Sequence, residues 1–152
     1  MSEVEPRFPA QALREWTEGV YRAVGASAEA ADCMIHANLR GQDSHGVTRV
    51  LVTYVERMRR GVMDAAAKPV VVREKASTAL VDGRNAIGHL VARRCVELAI
   101  RKAEAAGTAW VCVRDGNHFG ACATTGRSWR SSAGLSPSSP RTGTSPWPPG
   151  AA

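Results

Sequence analysis

The feature that most constrains this chain is an abrupt change in composition near residue 123. Up to there, hydrophobic residues recur at helical or strand spacing. From Thr124 to Ala152 there is no Asp, Glu, Val, Ile or Lys, and Ser, Pro, Gly and Arg take over. A stretch so poor in apolar residues cannot bury enough surface to offset its ordering entropy, so the composition predicts disorder over 124–152. Any core must come from the first 123 residues, and all 152 are too few for two ordinary domains. The reading is one unit, with a helical N-terminal segment over 1–65, a partial α/β domain over 66–123, and the tail.

The formal charge of +6 invites a nucleic-acid reading, but its distribution argues against one. Arg127, Arg130 and Arg141 supply half of the excess from the acid-free tail. No zinc-finger spacing, RNP motif or aromatic-interleaved basic run is present, so nucleic acid is not an expected partner. Nor is a membrane, because no apolar run approaches the roughly 20 residues a spanning helix needs. The start, MSEVEPRFPA, is acidic and contains proline, unlike a secretory signal. Cys33, Cys95, Cys112 and Cys122 are scattered without a C-x-x-C pair, which suits reduced thiols in a cytoplasmic protein.

Along the patterned part, residues 10–24 place Leu13, Trp16, Val20 and Val24 on one helical face, with Gly25 as a stop. Ser27 is placed to cap a second helix running to about Arg40, with Ala31, Met34, Ile35 and Leu39 inward. After GQDSHG a third helix buries Val50, Leu51, Tyr54, Val55 and Met58 and ends at Gly61. Arg57, Arg59 and Arg60 near its end suit the helix dipole. The period then shifts. PVVVRE and TALVDG read as short strands, with Asp82-Gly83 as a turn. GHLVARRCVELAIRKAEAAG reads as a long helix with Val91, Cys95, Leu98 and Ala99 inward, and TAWVCVR as a buried strand. This order is the opening of an α/β fold.

Two stretches carry chemistry. In GQDSHGVTRV, Ser44 can cap the third helix and leave its free N–H groups beside His45 and Arg49, a ready place for a carboxylate or phosphate. Arg49 can grip a carboxylate with two parallel hydrogen bonds, and His45 is a switchable proton donor. A capped helix with a solvated arginine and a packing histidine would read the same. In VRDGNHFG, a polar loop follows a strand at the end of a sheet, where such folds bind ligands. His118, between Gly116 and Gly120, can approach a substrate and exchange a proton with its oxygen. A loop histidine bonded to backbone is the alternative. No G-x-G-x-x-G opens a helix, so no dinucleotide fingerprint is present. Cys33, His36, Asp43 and His45 follow no metal-ligand spacing, and no metal is expected.

Taken together, DSHGVTR, YVERMRRG, VDGRNAIGH and AIRKAEAAGTAWVCVRDGNHFG resemble the type 2 malate/L-lactate dehydrogenase family, which includes ureidoglycolate and sulfolactate dehydrogenases. The resemblance covers residues 10–123 in one register. It implies a non-Rossmann α/β fold and an NAD- or NADP-dependent, dimeric oxidoreductase acting on a 2-hydroxy or 2-oxo acid. It further implies that His118 is the general acid/base, and that His45 and Arg49 hold the carboxylate and polarise the carbonyl. Ser44 and Tyr54 would line the pocket, with His45 and His118 near the nicotinamide. Family members are more than twice this long, so the chain is expected to lack most of the cofactor region and to be inactive alone. A non-catalytic dimerising module derived from the family is the competing expectation.

The tail offers its own explanation when read one base earlier. Thr124 and Thr125 then permit Tyr-Tyr, the segment Arg127 to Arg130 permits Val-Leu-Ala, and Trp147 to Ala152 permits Ala-Pro-Trp-Gly-Gly. The family carries a tyrosine-containing helix after NHFGA and an A-P-W-G-G stretch later. The expectation is a base lost near codons 121–124, with a natural Ser/Pro-rich extension as the alternative.

Overall fold

A computed structural model describes residues 7–121 of the chain. The two expectations for the tail, disorder and an altered reading frame, lie outside the described residues. Three helical elements come first: α1 (Ala10–Ala23), α2 (Ala30–Asn38) and, after a 3₁₀ turn over Asp43–His45, α3 (Val52–Arg59). A wide π-helical turn, Val47–Leu51, leads directly into α3. Strands β1 (Val70–Glu74) and β2 (Thr78–Asp82), helix α4 (Gly88–Ala106) and strand β3 (Trp110–Arg114) complete the order. The mixed α/β class read from the sequence is the one observed.

The three strands lie in the order β1-β2-β3, with β1 antiparallel to β2 and β2 parallel to β3. Helix α4 is therefore the crossover of a β-α-β unit, and Gly107, at φ +77°, ends it in the left-handed conformation. Ala79 and Val81 of β2 meet Val91, Cys95 and Leu98 of α4 in a small core. A larger core joins the helices, where Tyr21, Met34, Leu51, Tyr54 and Met63 pack with Ile87 from the loop before α4. Fully burying side chains of this size contributes roughly 1.5–3 kcal/mol each. Among the described residues, no helix is long and apolar enough to cross a membrane.

Several local expectations are corrected. Helix α1 turns Thr17 and Tyr21 inward, while Trp16 is 57% exposed. The threonine hydroxyl donates to the Leu13 carbonyl within the helix, so its buried polar atom is satisfied. Leu39 lies just past the end of α2 and is 67% exposed. The Ser27 hydroxyl accepts the Glu29 N–H in the turn that precedes α2, and does not cap the helix. The turn expected at Asp82-Gly83 is present after β2, where Asp82 accepts the Arg84 N–H and the Gly83 carbonyl accepts the Ala86 N–H, while Lys75 and Thr78 close the turn between β1 and β2. Strand β3 is mostly exposed rather than buried, because it is an edge strand with α4 on one face only.

Candidate functional site

The loops that follow β2 and β3 emerge side by side, because parallel pairing puts the ends of both strands at one edge. Arg114 donates to the Asp82 carboxylate at 2.7 Å across those ends. That bond is the main reason the Asp82 carboxyl is held below its usual pKa. Beyond it, Asn85 acts as a hub. Its backbone adopts φ +58°, which asparagine tolerates better than most residues. Its N–H donates to the Asp115 carbonyl, its side-chain amide to the Val62 carbonyl, and its own carbonyl accepts the Asp64 N–H. Asn117 completes the tie, donating to the Asn85 and Ala86 carbonyls, each at 3.0 Å. The histidine loop is thus bound both to the start of α4 and to the end of the helical half.

Two glycines let the loop lie this close. A Cβ on Gly88 would meet the carbonyl oxygens of Asn117 and His118, and one on Gly120 would meet the ring of His89. Gly120 also has φ +71°, a conformation that strains any side-chain-bearing residue.

Tyr54, from α3, reaches His118 from below. Its hydroxyl is 3.0 Å from Nδ1 of the ring and also donates to the His118 carbonyl. Burial raises the Tyr54 hydroxyl pKa well above the ordinary value, so it remains a phenol. His118 itself is solvent-exposed at the cavity, its pKa lowered by partial desolvation and then by His45. The two imidazole rings stand 5.6 Å apart, centre to centre. Ser44 Oγ lies 3.0 Å from His45 Nδ1.

Ser44, His45, Arg49, Tyr54 and His118 all line one cavity of about 510 Å³. The structure therefore brings together five side chains that are up to 74 positions apart in the sequence (44 to 118). The means differ from the sequence argument in one respect. Ser44 does not cap the third helix, because it sits inside the 3₁₀ turn. Asn38, from the end of α2, takes that role, accepting the Val47 N–H at 3.0 Å. Its position is made possible by Gly46, where any Cβ would collide with the Asn38 side chain.

Three further residues escaped the sequence reading. Arg57 lines the same cavity and donates to Asn117 at 3.0 Å, although the sequence assigned it to the helix dipole. Its spacing of three from Tyr54 is the signal that puts it on the same helix face. Asn117 was read only as a neighbour of His118. His89, expected merely to begin a helix, is 1% exposed, with its ring 5.3 Å from that of Tyr54. Neither of its ring nitrogens has a hydrogen-bond partner among the described residues. Burial, and secondarily His118, pushes its pKa down to about 4. No sequence signal distinguishes such a histidine from an ordinary helix-start residue. Among the described residues, no three His, Cys, Asp or Glu converge as a metal site. Cys33, Cys95 and Cys112 are free thiols.

The malate/L-lactate dehydrogenase family model matches residues 8–132. L-sulfolactate dehydrogenase of Methanothermobacter thermautotrophicus is 44% identical over 90 residues, covering 59% of this chain and 26% of that protein. Malate dehydrogenase of Pyrococcus horikoshii is 42% identical over 90 residues, covering 59% of this chain and 25% of that protein. The solved structure of the Pyrococcus horikoshii enzyme superposes with a TM-score of 0.79 at 34% identity, over 84% of this chain and 37% of that one. The chain thus matches about a quarter of the length of the two curated relatives.

Proposed function

The chain belongs to the malate/L-lactate dehydrogenase family, and from that premise we propose that its cavity binds a small 2-hydroxy or 2-oxo acid whose carbon bears the hydride exchanged with NAD or NADP. The observation that carries this reading is the convergence of Arg49, His45 and His118 on one cavity of about 510 Å³, a size suited to a small ligand. Arg49 grips the carboxylate with its guanidinium, which has no acidic partner among the described residues. His45 donates to the carbonyl or hydroxyl oxygen, and Ser44 fixes the orientation of its ring. His118 exchanges the proton at that oxygen. Its Nδ1 is engaged by Tyr54 whichever tautomer is present, so Nε2 is the nitrogen left to give or take the proton. The lowered pKa favours the neutral imidazole, and in the tautomer whose Nδ1–H donates to Tyr54 the Nε2 lone pair is ready to accept the hydroxyl proton in the oxidative direction.

The reduced nicotinamide supplies the hydride in such a reaction. Among the described residues no glycine-rich turn opens α4, and the carbonyls of Asn117 and His118 lie against Gly88 at its start, so that helix terminus is not a phosphate cradle. In our reading this chain binds the acid and positions the proton but does not turn over alone, and the homodimer of the full-length family is likewise a proposal. We also propose that residues 124–152 are translated out of frame.

Isothermal titration with L-malate and with oxaloacetate tests the reading on the 152-residue chain, beside an assay of reduced-nicotinamide oxidation. Binding abolished by Arg49→Gln, without oxidation, is the expected result. Binding indifferent to Arg49→Gln sinks it. Resequencing the gene from codon 110 onward tests the frame: an alternate frame spelling Ala-Pro-Trp-Gly-Gly and continuing open supports it, and early stops refute it.

A further inference from the structure

The 3₁₀ turn that carries His45, Asp43–His45, has no apolar side chain to bury. Asp43 and Ser44 are exposed and His45 is half-buried, and so short a turn has weak hydrogen bonds of its own. One side chain spans it. Asn38, the last residue of α2, accepts the Val47 N–H on its side-chain oxygen at 3.0 Å and donates from its amide nitrogen to the Asp43 carboxylate at 2.6 Å. The two bonds grip the chain on either side of Ser44, His45 and Gly46. Thr48 adds to the closure, its hydroxyl donating to the Asp43 carbonyl at 2.7 Å.

Gly46 shows how closely the amide is seated. Its backbone, at φ −100° and ψ −155°, is extended and open to any residue, so the conformation does not call for glycine. The space does: the three atoms nearest a Cβ there all belong to the Asn38 side-chain amide. Glycine at 46 and asparagine at 38 are therefore a matched pair. What they hold is a piece of the cavity wall. Ser44 Oγ lies 3.0 Å from His45 Nδ1, and both residues line the cavity with Arg49. His118 is held separately, by Tyr54 and through the Asn117 amide.

Resting on the acid-binding reading above, we infer that Asn38 is a positioning residue of the acid site: its amide, seated against Gly46, pins the turn between Asp43 and Val47 so that His45 faces the acid. Its own side chain is not among those lining the cavity, so it acts through the turn. Without the amide the turn relaxes toward solvent, and His45 and Ser44 shift relative to Arg49. A misplacement of about 1 Å is enough to lose much of what such a group contributes.

The test combines calorimetric titration with oxaloacetate and NMR of the imidazole signals, on the 152-residue chain. The variants are Asn38→Ala, Gly46→Ala and the exchange of Asn38→Asp with Asp43→Asn, with Arg49→Gln as control. The exchange keeps the bond to Val47 and the bond between the two side chains, the latter with donor and acceptor reversed. Asn38→Ala should weaken oxaloacetate binding about tenfold and shift the His45 signal of the ligand-free chain, leaving that of His118 in place. Gly46→Ala, which displaces the amide, should do the same, and should cost nothing further in the Asn38→Ala background. The exchange should restore the His45 signal and bring affinity to within about threefold of wild type. An unchanged His45 signal or an unchanged affinity in a folded Asn38→Ala chain overturns the inference. So does a failed rescue by the exchange, or an equal shift of His118, which would make Asn38 a general support of the fold. If Asn38→Ala unfolds the chain, Gly46→Ala and the exchange decide by the same criteria. If the wild type binds no oxaloacetate, or Arg49→Gln does not weaken it, the acid-binding reading fails first and this inference falls with it.

Discussion

Met34, Leu51 and Met63 in the helical half are each at most 2% exposed, whereas Val72 in β1 and Trp110 in β3 are 48% and 71% exposed. Helices can surround an apolar side chain from several directions. A three-stranded sheet with one helix on it covers one face and leaves two edges. The contrast matters for the site, because its loops grow from the sheet yet are tied to the helical half. Asn85 bonds to Val62 and Asp64, Tyr54 to His118, and Arg57 to Asn117. The well-packed half therefore stabilises the position of a histidine that the sheet merely delivers.

Three measurements can break or sharpen this contrast. The largest effect is expected from Leu51→Ala, which should cost about 2–5 kcal/mol in urea unfolding, since the residue is enclosed beside Tyr54. Acid binding should weaken with it. Next comes the buried His89. Its pKa is near 4 in the folded chain and ordinary when unfolded, so the unfolded chain takes up a proton first as pH falls. Its neutral form adds to stability above about pH 6.5, and roughly 3 kcal/mol of that should vanish between pH 6.5 and 4. His89→Gln should flatten this slope; an unchanged slope would mean that other groups cause it. The smallest effect is expected in the sheet. Val72→Ala should shift stability by about 0.5 kcal/mol or less and leave acid binding intact. A loss comparable to that of Leu51→Ala would erase the distinction between the two halves.

The order of the elements could be read from periodicity because each was longer than one repeat of its pattern. The faces were harder. Trp16 fits the apolar stripe of α1 as well as Tyr21 does, and only the approach of α2 and α3 determines which is buried. TAWVCVR has the composition of a central strand, but its exposure depends on how many strands flank it, which no local pattern encodes. The serine in DSHG has the chemistry of a cap. Asn38 lies nine residues before Val47 and takes the role because the chain folds back there.

What the sequence determined by itself was the set of reactive side chains. DSHGVTR and NHFG each place histidine beside small or polar residues, and the amino acids alone define what protons and charges they can carry. What only the tertiary structure decided was their meeting: parallel pairing of β2 and β3 sets the loops that follow them side by side, the Asn85 hub ties these to the segment after α3, and Tyr54 and Arg57 of α3 hold the His118 loop. The placements of Arg57 and His89 belong to the same level, since the cavity that Arg57 lines and the apolar surroundings that hold His89 neutral exist only in the folded chain.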